Sequence, residues 1–497
     1  MLSARPLSNQ MDVALARLKL TRRELVGPII GLLAVAASLI SGMELARANW
    51  VFGLAAPVTC AGLAALLILP LRLIASVYVA SFAVPLVAQH LDGISIHFLA
   101  APLVLGVTAL RAHAEGSLSA PRREATVFSA GIVAIATLGV VTGAAGDLSL
   151  ELRALAVVGI YVATMLWAAA MFGGTVVDTA LKMIALVGAV LAALSIAHLL
   201  FGFPLPLGVS SAGPDSEVLD AGTFSRYGGL FGDYELWAEY LAIVGTLQVW
   251  QIIRARNWPW RLVWFAALPI DLVALALTGT RGGLIQLVIG GLIVAIVAAP
   301  TVWMRLGAGA GAGIGAALIV WILPYLPGSL SARVTLLYTI SQSTDSLGVL
   351  LDRQGVWQHW LAAADSLYGF SLFGVGPYYP YSVFGGYPHS LWLISAFSVG
   401  LAGLALMVLF LSWAGIGLAR RAFVTRTIDV ALLAVLVGLV ASETKIEFVR
   451  LPSYGLLLMA ILGMIVGRLG PRAGSKAQSH IQPPAEASHQ GLSAKSS

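Results

Sequence analysis

The chain reads as an all-α polytopic membrane protein of about fourteen transmembrane helices with a long outward-facing loop that contains short helices. Composition is the first ground for this. Of 497 residues 59% are apolar and only 10% charged, where a soluble domain carries about 25% charged residues. Run length is the second, because the apolar residues fall in stretches of about 17–25, enough for a helix to cross about 30 Å of hydrocarbon. The third is the placing of the polar interruptions. Only two are long, from Phe203 to Tyr234 and from Pro324 to Pro388, and irregular backbone of about 65 residues is too costly beside a membrane to be a mere connector.

Residues 1–25 form a basic segment with Arg17, Lys19, Arg22 and Arg23. The apolar run from Val26 to Met43 has no small-residue cleavage site after a short core, so it reads as an uncleaved first span. Further spans centre near Pro57, Ala80, Leu105, Ile135, Ala163 and Val190 and complete an N-terminal bundle over 26–201. A first outer loop covers 202–234. Spans near Ile243, Val273, Ile289 and Ala312 fill 235–323, and the large outer, periplasmic loop covers 324–388. The last transmembrane block, 389–470, has spans near Leu401, Val435 and Leu458, with 389–419 longer than one span needs. A tail, 471–497, is rich in Ser, Ala, Pro and Gln and reads as disordered and cytoplasmic. The one cysteine, Cys60, forms no internal disulfide and leaves the redox compartment unread.

The net charge of +6 would suggest nucleic acid in a soluble chain. Here its distribution reports topology instead. With the N-terminus cytoplasmic, all but eight of the 29 Lys and Arg fall on the cytoplasmic side, as the positive-inside rule requires. The exceptions are Arg47, Arg153, Arg226, Arg281, Arg333, Arg353, Lys445 and Arg450. Both polar interruptions then face outward, away from ATP and nucleotide sugars.

Those outward arginines need explaining. Arg226 lies in Phe224-Ser225-Arg226-Tyr227-Gly228-Gly229-Leu230-Phe231-Gly232, where glycines allow close backbone approach. It reads either as a solvated loop arginine or as a guanidinium free to grip an anion. Arg281, in Thr278-Gly279-Thr280-Arg281-Gly282-Gly283, is either a snorkelling anchor or, at a glycine-flanked helix turn without other cations, part of a site. His389 is a polar start to a span or a general base that titrates near neutrality. Arg353 opens a stretch in which Val356, Trp357, Trp360 and Leu361 recur at helical spacing, an amphipathic helix in the outer interface. Tyr378, Tyr379 and Tyr387 suit stacking on sugar faces or an aromatic belt.

Other patterns point away from common chemistries. Gly307, Gly309, Gly311, Gly313 and Gly315 alternate in one span and read as tight helix packing. No P-loop, dinucleotide fingerprint, His-rich metal spacing or Gly-x-Ser-x-Gly elbow is present. Asp215, Glu217, Asp220, Asp233 and Glu235 are scattered acids without a paired spacing, so neither a metal nor another cofactor is expected.

Taken together these segments resemble the O-antigen ligase and O-antigen polymerase group of bacterial membrane glycosyltransferases. The resemblance rests on Arg226 to Gly232 followed by Ala238, on Thr278 to Gly282, and on Arg353, Trp357, Phe373-Gly374-Val375-Gly376 and His389 with Gly400 and Gly403. It covers roughly residues 220–410. Two departures stand out: Ser390 follows the histidine where the family usually has Asn, and Asp233-Tyr234-Glu235 replaces its Asn-Pro-Asn.

The resemblance implies transfer of a glycan from an undecaprenyl diphosphate carrier to a hydroxyl, on a growing glycan or a lipid A core, at the outer face of the inner membrane. A chain-length regulator or flippase would be a partner of such an enzyme. Arg226 and Arg281, with Arg353, are expected to bind the diphosphate, and His389 to deprotonate the attacking hydroxyl without a metal. Trp357, Tyr378, Tyr379 and Tyr387 are the expected substrate contacts, and an apolar groove between spans would hold the polyprenyl chain. A polytopic transporter is the competing reading. It would need charges near the bilayer midplane, and Asp271 is the nearest to one.

Overall fold

The computed structural model describes residues 64–82, 96–142, 147–201, 215–229, 233–303, 372–378, 390–444 and 452–470, apart from 65, 67, 119, 173–174, 220–221, 227, 256, 300 and 302. The basic N-terminus, the spans near Pro57 and Ala312, most of the large loop and the tail lie outside the described residues. The described residues form an α-helical bundle with one β-hairpin. The first helices are α1 (Leu71–Ser81), α2 (Ile96–Ala114), α3 (Arg123–Thr142), α4 (Leu148–Met171) and α5 (Thr175–Phe201). Strands β1 (Asp215–Leu219) and β2 (Gly222–Arg226) pair antiparallel, with Asp215 opposite Arg226. Then follow α6 (Tyr234–Arg254), α7 (Trp258–Thr278), α8 (Arg281–Ala298), α9 (Leu391–Ser398), α10 (Gly400–Thr425), α11 (Asp429–Ser442) and α12 (Pro452–Leu469).

Six of these helices, α3 to α7 and α10, are long and apolar enough to cross a membrane. The chain is an α-helical polytopic membrane protein, and its outward apolar side chains, Val141, Phe201, Leu409 and Val424 among them, form a surface suited to lipid. Local chemistry sets several helix starts. Asp147 caps α4 by accepting from the Ser149 and Leu150 amides at 2.9 and 3.3 Å, and Asp233 caps α6 in the same way through Glu235 and Leu236 at 2.9 and 3.1 Å. The apolar stretch from residue 391 to 425 is two helices, with a break at Val399 and Gly400.

Helix α6 is the hub. Of its membrane-length window 83% is buried, against 22% for α10. Helices α5, α7, α8 and α11 pack around it. Small residues permit the closest of these contacts: a Cβ on Gly290 of α8 would stand 2.4 Å from Thr246 Oγ1 of α6. A second seam joins α4 to α12, where Gly463 and Gly467 sit on the Met165 and Ala169 carbonyls.

One end of the bundle is locked by Asp429, which precedes the apolar run of α11. Its carboxylate takes hydrogen bonds from Arg468 at 2.7 and 3.0 Å, from Thr427 at 3.2 Å and from Thr425 at 3.3 Å, with Arg421 at 3.4 Å. Burial works against its charged form, but the Arg468 hydrogen bonds and charge, then Arg421 and Thr427, outweigh that and hold the carboxyl below its usual range. This ties the end of α10, the start of α11 and the end of α12 together.

Candidate functional site

At the opposite end of the bundle the chain gathers around the first two turns of α6. Strand β2 ends in Arg226, and three residues later Gly229, with φ of 58°, is pressed against the buried Trp237. A Cβ there would lie 2.5 Å from Trp237 Nε1, so only glycine lets the segment that carries Arg226 settle on α6.

The turn before Arg281 is fastened to the same helix. Gly279 ends α7 in the left-handed region with φ of 61°. The Thr278 hydroxyl donates to the Leu275 carbonyl at 2.7 Å and accepts from the Thr280 amide at 3.1 Å. Thr280 Oγ1 donates to the Tyr234 carbonyl at 3.4 Å, and a Cβ on Gly283 would stand 2.7 Å from the Ala238 carbonyl oxygen. Arg281 is thus the first residue of α8, seated beside the start of α6.

His389 lies outside the described residues, but Ser390, its neighbour, does not. Ser390 is buried and its Oγ accepts from the Leu393 amide at 3.5 Å, capping α9. The Leu391 amide donates to the Glu443 carbonyl at 3.0 Å, just past the end of α11. The last residue of α11, Ser442, donates to Glu239 of α6. The described segments beside the three motifs therefore share α6: Gly229 and Gly283 rest on it directly, and Leu391, two residues after His389, reaches it through α11.

Tyr378 belongs to a neighbouring strap, residues 372–378, at the same end. Its amide donates to Glu151 Oε2 at 3.0 Å, at the start of α4. Val375 and Gly376 donate to the carbonyls of Phe397 and Ser398 at 2.9 and 3.2 Å, and Leu372 accepts from Ala402 at 3.0 Å. The strap docks on the break between α9 and α10, so one length of α9, about 12 Å, separates its anchor from the Leu391–Glu443 contact. Arg353, Trp357, Tyr379 and Tyr387 lie outside the described residues.

Sequence reasoning took Asp233 and Glu235 only as scattered loop acids and missed Glu239, Glu151 and Glu443. Asp233 is a helix cap, and Glu235 and Glu239 are buried one turn apart on α6, while Glu151 and Glu443 are buried nearby. All four of these glutamates have interacting neighbours. The signal was a pair of acids four residues apart inside an otherwise apolar span, which in lipid marks an inward, working face. Beneath them Trp237, Tyr240 and Tyr454 stack in a column with ring centroids 5.8 Å apart at each step. An apolar pocket between α9, α10 and α11, lined by Leu391, Trp392, Met407, Phe410 and Leu439, opens next to Glu443. A larger cavity of about 550 Å³ lies at the other end of the bundle, against Arg72 and Arg111, away from these motifs.

No protein-family model matches the chain, and no curated protein matches it.

Proposed function

We propose that the chain is a membrane glycosyltransferase that polymerises or ligates a surface polysaccharide, an O-antigen or exopolysaccharide, taking glycan from undecaprenyl diphosphate to a hydroxyl acceptor. The observation that carries this reading is the fastening of the Arg226 and Arg281 segments to the first turns of one buried helix, with Leu391, two residues after His389, tied to that helix through α11. Two arginines carried on segments that rest on one helix end suit recognition of a diphosphate.

In this reaction Arg226 and Arg281, with Arg353 from the large loop, bind the diphosphate and stabilise the charge that grows as the bond between the anomeric carbon and the phosphate oxygen breaks. His389 takes the proton of the acceptor hydroxyl, whose oxygen forms the new bond from the opposite face. The configuration inverts and undecaprenyl diphosphate leaves. Trp357, Tyr378, Tyr379 and Tyr387 contact the sugars, and the apolar pocket beside Glu443 is a candidate seat for part of the polyprenyl chain. About fourteen spans in a bacterial inner membrane, with both termini cytoplasmic and the site periplasmic, complete the picture.

The test is purified protein in liposomes with a polyprenyl diphosphate oligosaccharide, a chelator and no nucleotide. A lengthened glycan identifies a polymerase, and transfer to an added lipid A core identifies a ligase. Inert protein on several such donors sinks the reading.

One observation favours transport of an anionic or sugar-containing solute as a second reading. Asp271 is buried in the middle of α7, where a coupling ion would be expected. Solute accumulation in the same vesicles, with no change in the glycan, would select it.

A further inference from the structure

The contact between α6 and α7 contains a polar pair that the proposed transfer chemistry does not use. Gln248 Nε2 of α6 donates to Asp271 Oδ2 of α7. Gln248 is fully buried and Asp271 is 2% exposed. Among the described residues, neither Asp271 Oδ1 nor Gln248 Oε1 has a hydrogen-bond partner. Two acceptor oxygens in an apolar interior both lack a donor, and they sit on groups already joined by one bond. A single hydrogen between them would satisfy both.

Among the described residues the surroundings offer no other donor. Helix α7 packs on α5 and α6. The ionisable side chains of α5 are Asp178, Lys182 and His198, and Lys182 is bonded to Asp178 at 2.5 Å. Those of α6 are Tyr234, Glu235, Glu239, Tyr240 and Arg254. Arg254 lies over the Trp250 ring at 5.5 Å, and Tyr240, which is within electrostatic reach of Asp271, turns its hydroxyl to the Ile184 carbonyl at 3.4 Å. On α7 itself Arg261 donates to the Ala255 carbonyl at 2.9 Å. Among the described residues no cation pairs with Asp271, and an uncompensated carboxylate at this depth is costly.

We propose that Asp271 and Gln248 form a proton-binding site inside the bundle. An O–H bond forms at Asp271 Oδ1 with a proton taken from solvent, and that hydrogen is donated to Gln248 Oε1 while Gln248 Nε2 donates back to Oδ2. The neutral acid and amide then close a two-hydrogen-bond ring between α6 and α7. The proposal stands whether the protein transfers glycans or moves a solute.

Infrared difference spectroscopy of the purified full-length protein tests it, comparing wild type, Asp271→Asn and Gln248→Leu at neutral pH. The expected result is a C=O stretch of a protonated carboxyl in wild type that Asp271→Asn lacks and that Gln248→Leu shifts to higher frequency. Identical carboxyl bands in wild type and Asp271→Asn overturn the proposal. Where Asp271→Asn does not fold, the comparison of wild type with Gln248→Leu decides, and an unmoved band overturns it equally.

Discussion

Gly283 of α8 sits so close to Ala238 of α6 that a Cβ at position 283 would stand 2.7 Å from the Ala238 carbonyl oxygen. Two helix backbones touch two residues after Arg281, and this contact fixes where α8 begins relative to α6. Gly283→Ala should therefore cost about 1–3 kcal/mol, the usual range for overpacking. Thermal melting in detergent measures it, with Gly291→Ala as the comparison. Gly291 has nothing within 4 Å of its Cβ position, so alanine there should be neutral or slightly stabilising.

Asp429 supports a second prediction, at the other end. Its side chain is fully buried between Arg468 and Arg421. Asp429→Asn should destabilise by about 1.5–3 kcal/mol, because it takes the charge from the hydrogen bonds that the partly exposed Arg468 and Arg421 make to this position. The pH dependence follows from the depressed carboxyl. The stability it lends is complete above the unfolded value near 3.8 and is lost as pH falls through the lower folded value. Melting curves in acid should thus show a loss in wild type that Asp429→Asn does not share.

The strap gives a third. Glu151 accepts from the Tyr378 amide, and a Cβ on Gly376, where φ is 105°, would lie 2.7 Å from Glu151 Oε2. Glu151→Ala should release residues 372–378 and raise the KM for glycan donor. Glu151→Gln, which keeps an acceptor oxygen, should stay near wild type. Limited proteolysis at the strap checks the release independently of activity.

Much of this was legible in the residues. The class follows from composition, and the positions of α3 to α7 follow from run length and polar breaks, whereas the span expected near Leu401 is α10, which only begins there, at Gly400. The hub was not legible, for a physical reason. Helix α6 has the lowest mean hydropathy of the six, 1.2, and is also the most buried, 83% of its window, whereas the lipid-facing α10 has 2.1. A central helix need not please lipid, so Glu235, Glu239, Gln248 and Gln251 are permitted there and dilute its signal. The division of α9 from α10 was hidden because apolar residues run straight through it. Its cause is tertiary: Gly400, with φ of 67°, lies against the Leu372 carbonyl and the Gly374 amide of the strap.

Arg226 and Arg281 were legible as motifs, being arginines on the side that the positive-inside rule would leave without them. That both rest on one helix was not, since nothing local in either motif names its partner. The contacts that join them are glycine approaches of different range: Gly229 meets Trp237 of the helix that directly follows it, whereas Gly283 of α8 meets Ala238 of α6 across the whole of α7.

The joint action of Arg281 and His389 in one glycan transfer, proposed above, is tested most directly by the rate of transfer from a polyprenyl diphosphate oligosaccharide by Arg281→Ala and His389→Ala beside wild type. With folding verified by melting, the account predicts a fall of about 10²–10³ for Arg281→Ala and about 10²–10⁴ for His389→Ala, with donor binding weakened only in the first. Transfer at the wild-type rate by both folded variants would contradict it.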